Sequence, residues 1–353
     1  MAAESYAERQ LIDLARSLTA RAGAGEVLGL QRIEGGRNNR AYRVDTRDRA
    51  FFLKVYRADG ADPRPRRQTE FAFLHFAWAQ GVRVVPEPIA VDIDNDLSLH
   101  AFVAGRRLGR GEVTRAHIEQ AARFIGELNR NRETAAAAAL PVASEACFSV
   151  QQHLELIDQR VQRLQSIERG TAVGTEAAAL VSEQLIPAWQ QVSQRCRQDA
   201  AEAGILDEPE LPQRDRCLSP SDFGFHNAIA GDSGQLTFHD FEYAGWDDPA
   251  KLVCDFLCQP EVPIAEADAS FAVERLLGAF QVPNSRFQGA TFGDSEVQRH
   301  RVELLRPLYV VKWCCICLND FLPAAQQRTF AGIRPERAQI AKVEGFLERL
   351  RSM

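Results

Sequence analysis

Strand-like runs crowd into the first hundred residues of this chain and nearly vanish afterwards. That segregation constrains the fold more than any other feature of the sequence. Short apolar runs rich in β-branched and aromatic residues occupy 27–33, 41–44, 50–56, 84–91 and 97–103. Turn signals such as Gly35-Gly36, Thr46-Arg47-Asp48 and Asp94-Asn95-Asp96 separate them. One helical segment, 66–80, interrupts the series, and Gly81 closes it. An amphipathic helix over 5–22 precedes it, with Leu11, Leu14 and Leu18 on one face. After Gly105 helical periodicity dominates, over 114–129, 148–167, 175–203, 264–280, 295–321 and 335–352. The alanine-rich stretch 134–139 fits a loop or a helix end. Strand signals return only at 228–230 and 235–241. The expectation is an α+β chain of two lobes, residues 1–104 strand-rich and residues 105–353 mainly helical.

Composition narrows the function classes. The net charge of −6 over 353 residues offers no basic stripe for nucleic acid. The longest apolar stretch, near 308–318, is far short of the roughly 20 residues that span a bilayer, and it contains Lys312. The N-terminal segment carries an early glutamate and no apolar core, unlike a signal peptide. Eight cysteines show no paired metal-ligand spacing, and Cys314, Cys315 and Cys317 read as small core residues. A reduced cytoplasm is the expected setting. Positive charge is almost all arginine: the four lysines are Lys54, Lys251, Lys312 and Lys342. A lysine kept inside an apolar run of such a chain is therefore informative.

Ser219-Pro-Ser-Asp222-Phe-Gly-Phe-His-Asn227 is followed by Thr237-Phe-His-Asp240-Phe-Glu242. Asp222 and Asn227 lie five apart, and Asp240 comes thirteen residues later, beyond a hairpin turned at 231–234. Such a loop and hairpin can bring the three side chains together. Phosphoryl transfer needs one carboxylate to receive a hydroxyl proton, and hard oxygen ligands to hold Mg2+ on the phosphates. A polar surface hairpin is the alternative for Asp222 and Asn227 taken alone. Lys54 sits in the apolar run 50–56, where it either snorkels to solvent or meets a buried anion. Glu70 lies on the same helical face as Phe73, Leu74 and Ala77 and is the candidate partner. Gly35, Gly36, Asn38 and Asn39 join the first two strands, where backbone and amide groups can approach phosphate.

This order of glycine-bearing hairpin, strand lysine, helix glutamate, Asp-x4-Asn and Asp-Phe resembles the aminoglycoside phosphotransferase and choline kinase families, over about residues 25–260. The resemblance implies a two-lobed protein-kinase-like fold. A small N-terminal antiparallel-sheet lobe would bind ATP, and the larger helical lobe would carry the catalytic loop and acceptor site. It implies Asp222 as catalytic base, Asn227 and Asp240 as Mg2+ ligands, Lys54 on the α- and β-phosphates, and Glu70 as its ion-pair partner. Leu99–Gly105 resembles the hinge, with the backbones of Ala101 and Val103 on the adenine edge. Asp248 and Asp255 would brace the loop. The family histidine two residues before the base is Pro220 here.

Glu242, Tyr243, Trp246 and Trp313 are candidates for binding the acceptor, with Tyr309, Asp247 and Lys312 as further material; core packing is the alternative for each aromatic. For His226, bracing of the loop is the expectation. The implied activity is an ATP-dependent O-phosphotransferase acting on a sugar, amino sugar or amino alcohol. The rivals are a choline- or ethanolamine-type kinase, which needs an aromatic cage, and a nucleotide-binding scaffold without turnover.

Overall fold

The run 50–55 is apolar except at Lys54, and the computed structural model makes it the middle strand of a five-stranded sheet. The structure describes residues 2–34, 39–56, 64–281, 295–323 and 337–353. They form two units, one of Met1–Arg107 with Asn227–Tyr243, the other of Leu108–His226 with Ala244–Met353.

In the first unit, α1 (Ala2–Arg21) precedes β1 (Val27–Ile33), β2 (Arg40–Thr46) and β3 (Ala50–Val55). Then come α2 (Arg66–Ala79), β4 (Pro88–Asp92) and β5 (Leu97–Ala101). The strands are antiparallel in the order β1-β2-β3-β5-β4. Phe51 and Leu53 of β3 join Val44, Leu97, Leu99, Ala15 and Leu18 in one buried cluster. Each such large apolar side chain contributes about 1.5–3 kcal/mol on burial. The period of two sends Lys54 to the opposite face from Phe51 and Leu53, where its cross-strand partner is Ser98.

Three short strands complete this unit: β6 (Arg106–Arg107), β8 (Ala228–Ala230) and β9 (Leu236–Phe238), in the order β6-β8-β9. Gly105 makes the approach to β8 possible. Its φ is +146°, and a Cβ there would stand 2.4 Å from the Ala230 carbonyl oxygen. A division after residue 104 misses this pairing, because the hairpin that joins the first unit lies more than a hundred residues further along the chain.

In the second unit, β7 (Cys217–Ser219) pairs with β10 (Gly245–Asp247). Around them lie α3 (Arg115–Asn129), α4 (Ala135–Ala138), α5 (Val150–Arg163), α6 (Ala172–Leu180), α7 (Ile186–Glu202), α8 (Pro249–Cys258), α9 (Ala269–Ala279), α10 (Ser295–Leu318) and α11 (Arg337–Arg351). The helix α10 packs against α5, α7, α8, α9 and α11, and Leu308, Tyr309, Val310 and Val311 are wholly buried within it.

Three departures from the sequence reading have local causes. The run 84–91 becomes a strand only from Pro88, since proline lacks the N–H a ladder needs and serves best as a strand's first residue. The run 175–203 is two helices joined by a π-turn over Val181–Leu185, with Pro187 in the first turn of α7. The strands β6, β7 and β10 are two or three residues long, too short for an alternation to register. The ambiguous stretch 134–139 is α4, capped by the Thr134 hydroxyl, which accepts from the Ala137 N–H. The eight cysteines are free and buried. Among the described residues no helix is long and apolar enough to cross a membrane.

Candidate active site

Burying an ammonium group is costly unless anions meet it, and Lys54 is met by three. Its Nζ lies 2.7 Å from Glu70 Oε2, 2.6 Å from Asp240 Oδ1 and 3.4 Å from Glu242 Oε2. β3 supplies the lysine, α2 supplies Glu70, and the segment after β9 supplies the other two, all within the first unit. Burial alone would lower the Lys54 pKa. Asp240 and Glu70 override it and hold the ammonium well above its ordinary value. Burial alone would raise Glu70, and Lys54 reverses that to a net depression. Both groups are therefore charged at neutral pH.

Further contacts fix Glu70. Its Oε2 accepts from the Tyr56 hydroxyl at 2.6 Å, and its Oε1 accepts from the Phe241 N–H at 3.3 Å. Tyr56 Oη lies 3.1 Å from Ser98 Oγ, which lies 2.6 Å from His100 Nε2. Burial pushes His100 down to about 4. The Phe241 ring packs on Phe73 of α2 at 5.1 Å between centroids. These contacts tie α2 to the Asp240-Phe241-Glu242 segment. Asp240 itself has φ +69°, a left-handed backbone that costs a non-glycine residue about 1–3 kcal/mol.

Asn39 donates its Nδ2 to Glu242 Oε2 at 2.5 Å, and Arg66 lies 3.7 Å from Glu242 Oε1. Glu242 thus belongs to the cluster around Lys54. Asn227 accepts at its carbonyl from the His239 N–H at 3.0 Å, one step beyond the Ala228↔Phe238 rung of the β8–β9 ladder. That rung sets Asn227 and Asp240 at one end of the same hairpin. Gly35, Gly36 and Asn38 lie outside the described residues. At the end of β5, the Ala101 N–H donates to the Glu87 carbonyl at 2.9 Å, so that donor is already taken. Val103 lies beyond the strand.

The second unit carries Asp222. Its Oδ1 lies 3.1 Å from His226 Nε2, the loop-bracing contact expected of that histidine. Of the aromatic candidates, Trp246 is buried and donates its Nε1 to the Ala137 carbonyl at 3.0 Å. Trp313 is buried, with no partner for its Nε1 among the described residues. The Tyr309 hydroxyl lies 2.8 Å from His153 Nδ1. Tyr243, in the first unit, has the Arg64 guanidinium 4.5 Å over its ring.

Two ionic networks surround the aspartates expected to brace the loop, and the pairing of their cations went unread in the sequence. Lys251 pairs with Asp247 at 2.5 Å and with Asp255 at 3.5 Å, and Lys312 binds Asp255 at 2.7 and 2.8 Å. Asp248 accepts from the Ala250 N–H, from Arg301 at 2.5 Å and from His153 at 3.1 Å. Asp247, Asp248, Lys251 and Asp255 are at most 2% exposed. Their signal was the rarity of lysine: Lys251 and Lys312 stand in apolar runs as Lys54 does, each within reach of an aspartate along or between helices.

Residues 29–274 match the model of the phosphotransferase enzyme family. A comparison with curated proteins finds no significant match. Among solved structures, a spectinomycin phosphotransferase in complex with ADP and spectinomycin superposes with a TM-score of 0.66 at 11% identity, over 98% of this chain and 97% of that one. The choline kinase LicA from Streptococcus pneumoniae gives 0.61 at 13% identity, over 99% and 100%. A choline/ethanolamine kinase family protein from Mesorhizobium loti gives 0.57 at 18%, over 96% and 93%. The fold is that of the protein-kinase-like small-molecule kinases. With its family model matched over more than half its length, the chain belongs to the phosphotransferase enzyme family.

Proposed function

We propose that this protein transfers the γ-phosphoryl group of ATP to a hydroxyl of a small polar metabolite of the sugar, amino sugar or amino alcohol class. The observation that carries the proposal is the ammonium of Lys54 held between Glu70 and Asp240. A strand lysine fixed by a helix carboxylate is a preorganised cation for phosphate oxygens, and the aspartate beside it suits a metal that bridges those phosphates.

The donor set fits Mg2+. Asp240 is partly exposed, Asn227 shares its hairpin end, and both offer oxygen. Three carboxylates, Glu70, Asp240 and Glu242, have oxygens within 4.8 Å of one another; Lys54 meets all three and Arg66 lies against Glu242. Carboxylate oxygens so close together suit a divalent ion. Asn227 and Asp240 would hold Mg2+, which neutralises charge on the transferred phosphoryl group. Asp222 receives the acceptor hydroxyl's proton, and Lys54 stabilises the phosphates of the nucleotide.

A choline- or ethanolamine-type acceptor has weaker support. A quaternary ammonium needs open aromatic faces. Arg64 covers a face of Tyr243 with a positive charge, and Trp246 and Trp313 are buried. The scaffold reading rests on Pro220 alone.

The test is a magnesium-dependent transfer assay with γ-labelled ATP against sugars, aminoglycosides and amino alcohols. Labelled product with at least one hydroxyl acceptor is expected. Tight ATP binding without transfer to any acceptor or to water would leave the scaffold reading in its place.

A further inference from the structure

The loop that carries Asp222 is pinned from below by two aromatic residues. Phe223 stacks on Phe256 of α8 at 4.9 Å between centroids and meets Phe124 of α3 at 5.8 Å. Phe225 meets the same Phe256 at 5.2 Å. Both are at most 2% exposed. Anchoring alternate residues in the core leaves Asp222 and His226 as the partly exposed positions at either end of the segment. Gly224, between the anchors, lies beneath the imidazole. A Cβ built on it would stand 2.7 Å from His226 Nδ1, 2.9 Å from His226 Cε1 and 2.8 Å from Gln259 Cγ. The ring can lie back toward Asp222 only because residue 224 has no side chain.

His226 Nε2 then stands 3.1 Å from Asp222 Oδ1. An ionised carboxylate only accepts hydrogen bonds, so the imidazole nitrogen donates. A second local contact shapes the entry to the loop: the Ser221 N–H donates to Ser219 Oγ at 3.0 Å, and Ser221 itself has φ +68°. Pro220 can make no donation from its own backbone nitrogen. The loop before Asp222 is thus held by the Ser219 hydroxyl and the left-handed turn at Ser221, and the carboxylate is held by the histidine four residues on.

We infer that His226 is a positioning residue for phosphoryl transfer, its Nε2–H holding Oδ1 of Asp222 so that the carboxylate meets the acceptor hydroxyl in one orientation. The inference rests on the phosphotransfer reading above. A carboxylate on a partly exposed loop side chain has rotamer freedom, and a group misplaced by about 1 Å can lose about 10²-fold in rate. A histidine on the C-terminal side of the base here does the orienting.

The experiment compares the full-length wild type with His226→Ala, His226→Gln and Gly224→Ala in magnesium-dependent transfer from γ-labelled ATP, with water and the acceptor panel as probes. Glutamine can place its amide Nε2 near the imidazole Nε2. His226→Ala is expected to lose about 10- to 100-fold in kcat with KM for ATP within about 2-fold. His226→Gln should regain most of that loss, and Gly224→Ala should resemble His226→Ala. Long-range proton–nitrogen spectra should show His226 protonated at Nε2 and perturbed by Asp222→Asn. Unimpaired His226→Ala, or equal damage in the alanine and glutamine variants with KM raised, overturns the inference while wild-type turnover keeps the phosphotransfer reading. Wild-type protein with no magnesium-dependent turnover removes the phosphotransfer reading itself, and the positioning role falls with it.

Discussion

Lys54 Nζ and Glu70 Oε2 lie 2.7 Å apart, with 8% and 6% of their side chains exposed. At that depth the pair is held by mutual need more than by net gain. Removing one partner of a buried ion pair typically costs about 3–5 kcal/mol, because the other charge is stranded. Asp240 and Glu242 still face Lys54 in a Glu70→Ala variant, and Tyr56 and Phe241 lose their acceptor. The expected loss is therefore near the low end, about 3 kcal/mol in urea denaturation at pH 7. A loss below about 1 kcal/mol, the scale of a surface pair, would show that the cluster does not hold α2 in solution.

Asp240 answers to a different measurement. It touches Lys54 at 2.6 Å yet keeps 39% of its side chain exposed, so it is available to an outside cation. Asp240→Ala should abolish the magnesium dependence of ADP binding in calorimetry while the far-ultraviolet circular dichroism stays that of the wild type. Magnesium-dependent binding of unchanged strength would exclude Asp240 as a ligand.

The Lys54–Glu70 pairing was legible because two signals agreed: a lysine in a strand and a carboxylate on the apolar face of the following helix. The strand-rich first unit was legible for the same reason, since its runs are long enough for period two to register. The return of the hairpin Asn227–Tyr243 to that unit was not, because nothing local in β6, two arginines long, announces a partner over a hundred residues away. Glu242 illustrates a third case. Its position beside Asp240 suggested an acceptor contact, yet only the fold reveals that Asn39 and Arg66 reach it. The Lys251 and Lys312 networks follow the logic that picked out Lys54, but their carboxylates sit four residues away or on another helix, where many pairings compete.

Asp248 supplies a pH test. Burial alone would raise its pKa. Arg301 and His153 overcome that and hold the carboxyl well below the usual carboxylate range. A depressed folded value means that its stabilisation is complete above the unfolded pKa of about 3.9 and is lost as pH falls through the folded value. Asp248→Asn can still cap α8 but leaves the buried Arg301 without its counter-charge, so about 3–5 kcal/mol should be lost at pH 7. The gap between wild type and variant should stay constant from pH 7 to about 5 and narrow below about 4. Urea midpoints at pH 7, 5 and 3 measure it; a gap at pH 3 as wide as at pH 7 would refute the assignment.

Asp222 decides between an enzyme and a scaffold. Its loop is anchored by Phe223 and Phe225, so a substitution at the partly exposed Asp222 should leave the core unaltered. Asparagine keeps the shape and can still accept from His226 through its amide oxygen, but it cannot take up a proton at neutral pH. Losing a positioned general base costs about 10²- to 10⁴-fold. Asp222→Asn should therefore lower kcat for acceptor phosphorylation by at least about 10²-fold. Lys54 and Asp240 remain intact in this variant, so the KM for ATP and the calorimetric affinity for magnesium–ADP should stay near wild type. That split separates a base from a loop brace, since a displaced loop would carry Asn227 with it and weaken metal-dependent binding too. A variant with wild-type turnover would leave Asp222 as a structural residue, and the proton would need another acceptor.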